Sequence, residues 1–159
     1  LRTNKITNTV FGIASTVGDF SILWHITGLL YAIGSMHRLH QAIALSIALG
    51  AESIIVNQGV KRIFRRERPT VSGDDRFDVR TPSTSSFPSG HASSATVAAI
   101  ILIWMTGFPL AILWIIMAGV VALSRVVVRI HHLSDIVGGV ITGAILGAIA
   151  VPIISSILG

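Results

Sequence analysis

A chain of 159 residues that is 52% hydrophobic and only 12% charged has a mean hydropathy of +0.77. A soluble domain carries about a quarter charged residues, so the composition points to an integral membrane protein and leaves little room for a separate soluble module. The net charge of +5 is concentrated, because seven of the 12 Lys and Arg residues lie between Lys61 and Arg80, and the absence of cysteine excludes disulfides, thiolate catalysis and Cys-based metal sites.

In chain order, the amino terminus LRTNKITNTV lacks the basic-then-apolar order of a signal peptide, so the first spanning helix is expected to direct insertion. An interfacial helix is expected over about Ile6 to Val17. A helix needs roughly 20 residues to cross hydrocarbon, and five stretches approach that length: Phe20 to Met36, Gln41 to Val60, His91 to Met105, Leu110 to Val128 and Ile136 to Leu158. The fold expected is therefore an all-α, polytopic transmembrane helix bundle of about five spans plus the amino-terminal helix, one membrane-embedded domain over residues 1–159. The long connector from Lys61 to Pro88 is rich in Ser, Thr, Pro, Asp and Gly and reads as irregular. In the last span Gly139, Gly143 and Gly147 stand at steps of four, a spacing that lets helices approach closely. Trp24, Trp104 and Trp114 read as interface anchors or lipid-facing bulk.

Alternation across a bilayer puts the end of the second span, the start of the third, the end of the fourth and the start of the fifth on one face. Of the 12 basic residues only Arg38 then falls on the opposite face, which leaves a cationic mouth able to draw in an anion.

Three clusters sit at that mouth. Lys61 and, seven residues on, Arg68-Pro69 offer a compact charge and a planar fork suited to phosphate oxygens, though basic residues beside a span also simply meet lipid head groups. Pro88-Ser89-Gly90-His91 stands before the third span, where Ser89 can cap the helix, Gly90 lets backbone approach a ligand, and the helix start turns free N–H groups toward an anion. Ser124-Arg125 is followed by His131 and Asp135 at i,i+4 spacing, so a carboxylate can hold one ring nitrogen protonated and aim the other as a nucleophile. His132, three residues before Asp135, could also face it. Asp19, His25 and Glu52 fall in or near spans, where ionisable groups are costly; without a motif, interhelical hydrogen bonding or an interfacial place is the expectation for them.

Together the clusters resemble the type-2 phosphatidic acid phosphatases, membrane lipid phosphatases related to vanadium haloperoxidases and glucose-6-phosphatase. The signature there is Lys, six residues, Arg-Pro; then Pro-Ser-Gly-His; then Ser-Arg, five residues, His, three residues, Asp, and all three parts occur in order between Lys61 and Asp135. The resemblance implies that His131 attacks phosphorus, that Asp135 orients it, and that His91 protonates the leaving oxygen and then activates water. It implies that Lys61, Arg68, Ser89, Gly90 and Arg125 hold the phosphoryl oxygens, with no metal and no cofactor. The expected activity is removal of phosphate from a lipid phosphomonoester or diphosphate through a phosphohistidine, with a polyprenyl carrier favoured and phosphatidic acid or phosphatidylglycerol phosphate as alternatives. A phosphotransferase of the same architecture and an anion or lipid transporter are the competing classes. The expected partners are the lipid substrate and the bilayer, without nucleic acid. The expected location is the cell membrane of a bacterium or archaeon, the charge asymmetry leaning the site to the cytoplasmic side.

Overall fold

The computed structural model describes residues 5–69 and 84–158, and the middle of the predicted hydrophilic connector, including Arg76 and Arg80, lies outside the described residues. Among the described residues there is no strand. Helix α1 runs Lys5–Val17 and α2 runs Ile22–Ala32. Helix α3 covers Met36–Ile63, α4 Gly90–Thr106, α5 Ala111–Val127 and α6 Leu133–Leu158.

The amino-terminal third departs from the expected pattern. The predicted span Phe20 to Met36 is an 11-residue helix, α2, about 16 Å long at 1.5 Å per residue and too short to cross hydrocarbon alone. It follows a break in which Phe20 and Ser21 take left-handed backbone angles, and Thr9–Val17 and Asp19–Ala32 meet at 64°. Helices α3, α6 and the stretch Phe108–Val127 are long and apolar enough to span, and the bent pair makes a fourth if counted as one broken span. Helix α4 has 17 residues and its buried positions surround it: Ala92, Ala95, Val97, Ala98, Ile101 and Leu102 are all enclosed. It is the central helix, packed by α2, α3, α5 and α6.

Lipid offers no hydrophobic drive between helices, so close packing and interhelical hydrogen bonds must hold them. The glycine steps of α6 serve the first purpose. A Cβ at Gly139 would lie 2.5 Å from the Ser89 carbonyl oxygen, one at Gly143 would run into the Ser93 carbonyl, and one at Gly147 would lie 2.8 Å from Ile100 Cδ1. Only hydrogen at these three positions lets α6 seat on α4. For the second purpose, Tyr31 Oη donates to the Met105 carbonyl (2.7 Å), Trp114 Nε1 to Thr106 Oγ1 (2.9 Å), and His25 Nδ1 pairs with Ser46 Oγ (2.9 Å). His25 thus has the interhelical bond expected of it. Trp24 does not face lipid or interface as expected: it is fully buried against the central helix, because the bend turns this face of α2 inward.

Candidate active site

Four elements bring the predicted residues to one end of the bundle. Toward its end α3 widens into a π turn over Ile55–Val60, a feature that re-registers a helix and recurs at functional sites. Lys61 follows it and is buried, while its neighbour Arg62 is exposed. The Lys61 ammonium lies 3.5 Å from where a Cβ on Gly90 would stand, so the absence of a side chain at the start of α4 makes room for that charge. Ser89 caps α4, its Oγ accepting from the Ala92 N–H at 3.4 Å. The Ser89 N–H in turn donates to the Asp135 carbonyl (2.9 Å), which ties the start of α4 to the start of α6. The Arg125 carbonyl accepts from the N–H groups of Ile130 (3.0 Å) and His131 (3.1 Å), fixing the turn that delivers His131 after α5.

Asp135 is the centre of the polar network. Its Oδ2 accepts from Ser86 Oγ (2.5 Å) and the His132 N–H (2.8 Å), and its Oδ1 from Arg66 (2.7 Å). The bond from His132 is the backward half of a capping box at the start of α6. His132 therefore meets Asp135 through its main chain, whereas the ring of His131 does so through Nδ1, 3.5 Å from Oδ2. That separation is at the outer edge of a hydrogen bond, and Nδ1 has no closer partner among the described residues.

The tautomer of His131 follows from its other neighbour. Arg68 lies 3.3 Å from Nε2 through one terminal nitrogen, and a guanidinium can only donate, so Nε2 carries the lone pair and Nδ1 the proton, facing Asp135. Burial pushes the imidazole pKa down to about 4, against the opposing pull of Asp135 and with repulsion from Arg68, Arg125 and Lys61 adding to the drop. His131 is thus a neutral base with its lone pair facing Arg68, and it borders a cavity of about 310 Å³ with Pro69, Arg129 and His132. Of the three cations, Arg68 is the one in contact with the imidazole, and the charges of Lys61 and Arg125 reach it only through space.

The clamps are not equivalent. Arg68 gives its other donors to main-chain oxygens of Thr84 (3.1 Å), Ser85 (3.1 Å) and Ile130 (3.3 Å), so it braces the loops around His131 as much as it faces a ligand. Burial lowers its pKa and Asp135 counters that. Arg125, almost fully enclosed, spends one terminal nitrogen on Ser15 Oγ. Its Nε and second terminal nitrogen have no partner among the described residues, and unpaired buried donors of this kind suit phosphoryl oxygens.

His91 stands at the start of α4, its Nε2 3.0 Å from Asp19 Oδ1 and 3.3 Å from the Ser15 carbonyl. Of the two places expected for Asp19, the structure shows the hydrogen bond between elements, made with His91. Sequence reasoning did not reach Arg66, Ser86 or Ser15. Arg66 and Ser86 flank recognised motifs and were open to suspicion; nothing in the sequence signals a contact between Ser15 and Arg125, 110 residues apart. Glu52 stays apart, buried on α3 with Oε1 unpaired among the described residues.

Comparison with known proteins bears on this geometry. The family model of the PAP2 superfamily matches residues 39–157. A decaprenylphosphoryl-5-phosphoribose phosphatase of Mycobacterium tuberculosis is 39% identical over 136 residues, covering 85% of this chain and 73% of that protein. A putative undecaprenyl-diphosphatase of Escherichia coli is 28% identical, over 87% of this chain and 65% of its own length. The crystal structure of a transmembrane PAP2 type phosphatidylglycerolphosphate phosphatase from Bacillus subtilis superposes with a TM-score of 0.68 at 21% identity, covering 97% of this chain and 79% of that one; it speaks to the fold alone.

Proposed function

The chain belongs to the PAP2 superfamily and is a membrane phosphoric ester hydrolase, and we propose that it removes the terminal phosphate of a polyprenyl-linked phosphate or diphosphate through a phosphohistidine at His131. The observation that carries this is the pair of contacts on the His131 ring: Arg68 at Nε2 places the lone pair there, Asp135 at Nδ1 stands ready for the imidazolium, and the lone pair is released to phosphorus when the Arg68 N–H turns to a phosphoryl oxygen. Nε2 forms the N–P bond as the bond from phosphorus to the lipid oxygen breaks. His91 gives that oxygen a proton. His91 then takes a proton from water as the water oxygen attacks phosphorus, the N–P bond breaks, and inorganic phosphate leaves. Lys61, Arg125, the Gly90 N–H and the Ser89 hydroxyl hold the equatorial oxygens, where charge spreads in the transition state, and Arg68 steadies the nucleophile and its loops.

A lipid tail has a place to lie. A lateral groove of about 510 Å³ between α3, α4 and α6 is lined by Ile43, Ile47, Ile55, Val97, Ile149 and Ile153. Glu52, which also lines it, and Ile55 lie on α3, the helix that ends beside Lys61. The names of the mycobacterial and Escherichia coli relatives support a polyprenyl over a glycerolipid substrate. The excess of basic residues on the site face favours the cytoplasmic side, which cysteine accessibility labelling tests on a chain with no native cysteine.

The decisive assay is phosphate release by purified protein in detergent with EDTA present, over a panel of polyprenyl phosphate, polyprenyl diphosphate, phosphatidic acid and phosphatidylglycerol phosphate. The highest kcat/KM is expected on a polyprenyl substrate. A preference for phosphatidic acid would refute the substrate assignment, and absence of phosphate release on every member would refute the activity. Transfer to an added alcohol in place of release would identify a phosphotransferase.

A further inference from the structure

We propose that Asp19, at the bend between α1 and α2, is a positioning residue for His91, so that the acid–base histidine is a carboxylate–imidazole pair like the nucleophilic one. This rests on the assignment of His91 to the leaving oxygen and goes beyond it, because Asp19 lies outside the three motifs.

Contacts through Ser15, Gly18 and Asp19 hold the end of α1 and the bend after it against the site. Arg125 donates to Ser15 Oγ, and Ser15 is fully buried. His91 Nε2 meets both the Ser15 carbonyl (3.3 Å) and Asp19 Oδ1 (3.0 Å). Gly18 presses its main chain on the ring, since a Cβ there would stand 2.8 Å from His91 Cδ2 and 3.0 Å from Val121 Cγ1. The next two residues after Asp19, Phe20 and Ser21, are both left-handed, a costly conformation for side-chain-bearing residues, and it is this bend that directs the chain away after placing the carboxylate.

The tautomer follows as it did for His131, with the opposite outcome. Both partners of Nε2 are acceptors, so Nε2 carries a proton and Nδ1 is the nitrogen that exchanges one. In the first step the imidazolium gives its Nδ1 proton to the leaving oxygen and becomes neutral, its Nε2–H still on Asp19. In the second, Nδ1 takes a proton from the attacking water, and Asp19 stabilises the imidazolium that results. No proton passes to Asp19.

The test compares first-turnover rates on two substrates that share one long alkyl tail: an alkyl phosphate, whose alkoxide needs a proton to leave, and an alkyl-substituted nitrophenyl phosphate, whose phenolate does not. Asp19→Asn is expected to slow the alkyl phosphate by about 10- to 100-fold, within the range of general acid catalysis, and the nitrophenyl phosphate by less than about threefold. Asp19→Ser is measured in parallel so that misfolding of one variant leaves the comparison intact, and Asp19→Glu, which keeps the carboxylate, is expected to recover part of the loss. Equal slowing of both substrates, or of neither, would overturn the role of Asp19. His91→Ala, measured on the same pair, separates the two levels: a selective loss there without one in Asp19→Asn rejects only the pairing, whereas an unselective loss in His91→Ala rejects the underlying role of His91.

Discussion

Replacing Gly139 by Ala tests whether helix seating sets the geometry of the nucleophile. The new Cβ would stand 2.5 Å from the Ser89 carbonyl oxygen, 2.9 Å from Ala92 Cβ and 3.2 Å from the Ser93 nitrogen. Carbon and oxygen approach comfortably only to about 3.3 Å, so α6 and α4 must part locally by roughly 0.8 Å. The Ser89 N–H to Asp135 carbonyl bond, 2.9 Å long, spans the same seam. Opened along its own direction it stretches to about 3.7 Å and ceases to be a hydrogen bond. Overpacking costs about 1–3 kcal/mol, offset in part by the roughly 1 kcal/mol that Ala gains over Gly within a helix, so the variant should fold with a modestly lowered melting temperature. The larger effect is on rate: a displacement near 1 Å at a reacting centre costs about 100-fold, and kcat for phosphate release in detergent is expected to fall by about 10- to 100-fold. Gly50→Ala is the control, because nothing lies within 4 Å of its added Cβ; its kcat should be unchanged. Wild-type kcat in Gly139→Ala would refute the idea that this seam positions Asp135 and His131.

The remaining predictions address the site directly. Ser86→Ala removes a fully buried donor 2.5 Å from Asp135 Oδ2; a hydrogen bond to a charged group is worth about 1.5–3 kcal/mol, so kcat should drop by about tenfold or more, and Arg66→Ala, at a more exposed contact, by less. His131→Ala should abolish turnover while His132→Ala retains it, since His132 reaches Asp135 through its N–H; the reverse pattern in a phosphate-release assay would contradict the assignment. Because the His131 pKa is held at about 4, its neutral, nucleophilic form persists as pH falls until about 4 and is lost below it. A ¹⁵N histidine NMR titration in detergent should give that low midpoint with the proton on Nδ1, and a midpoint near about 6.5, the ordinary value, would contradict the electrostatic account.

The parts legible in the sequence were those in which residue identity and spacing themselves carry the chemistry. His131 and Asp135 are four residues apart, and their pairing was legible from that spacing although α6 begins only at Leu133 and His131 stands in the turn before it. Ser89 and Gly90 announce a helix start, and the steps of four from Gly139 to Gly147 announce a close helix contact. Apolar length located α3, α5 and α6. The amino-terminal region was not legible in the same way, because its meaning lies in contacts between distant segments: the bend at Phe20 and Ser21 has no glycine at the left-handed positions to betray it, and it turns Trp24 into the core and Asp19 onto His91. Arg68 shows a subtler limit. Its motif marks it as a phosphate clamp, yet the loops fold so that three main-chain carbonyls share its donors, which no spacing could reveal.

The central claim is that phosphorus is bonded to His131 during turnover. Rapid quenching of the enzyme with a ³²P-labelled polyprenyl substrate, followed by peptide mapping under alkaline conditions, should find acid-labile label on the peptide containing His131, and none in His131→Gln. Turnover that leaves the wild-type protein unlabelled, or label on any other residue, would contradict it.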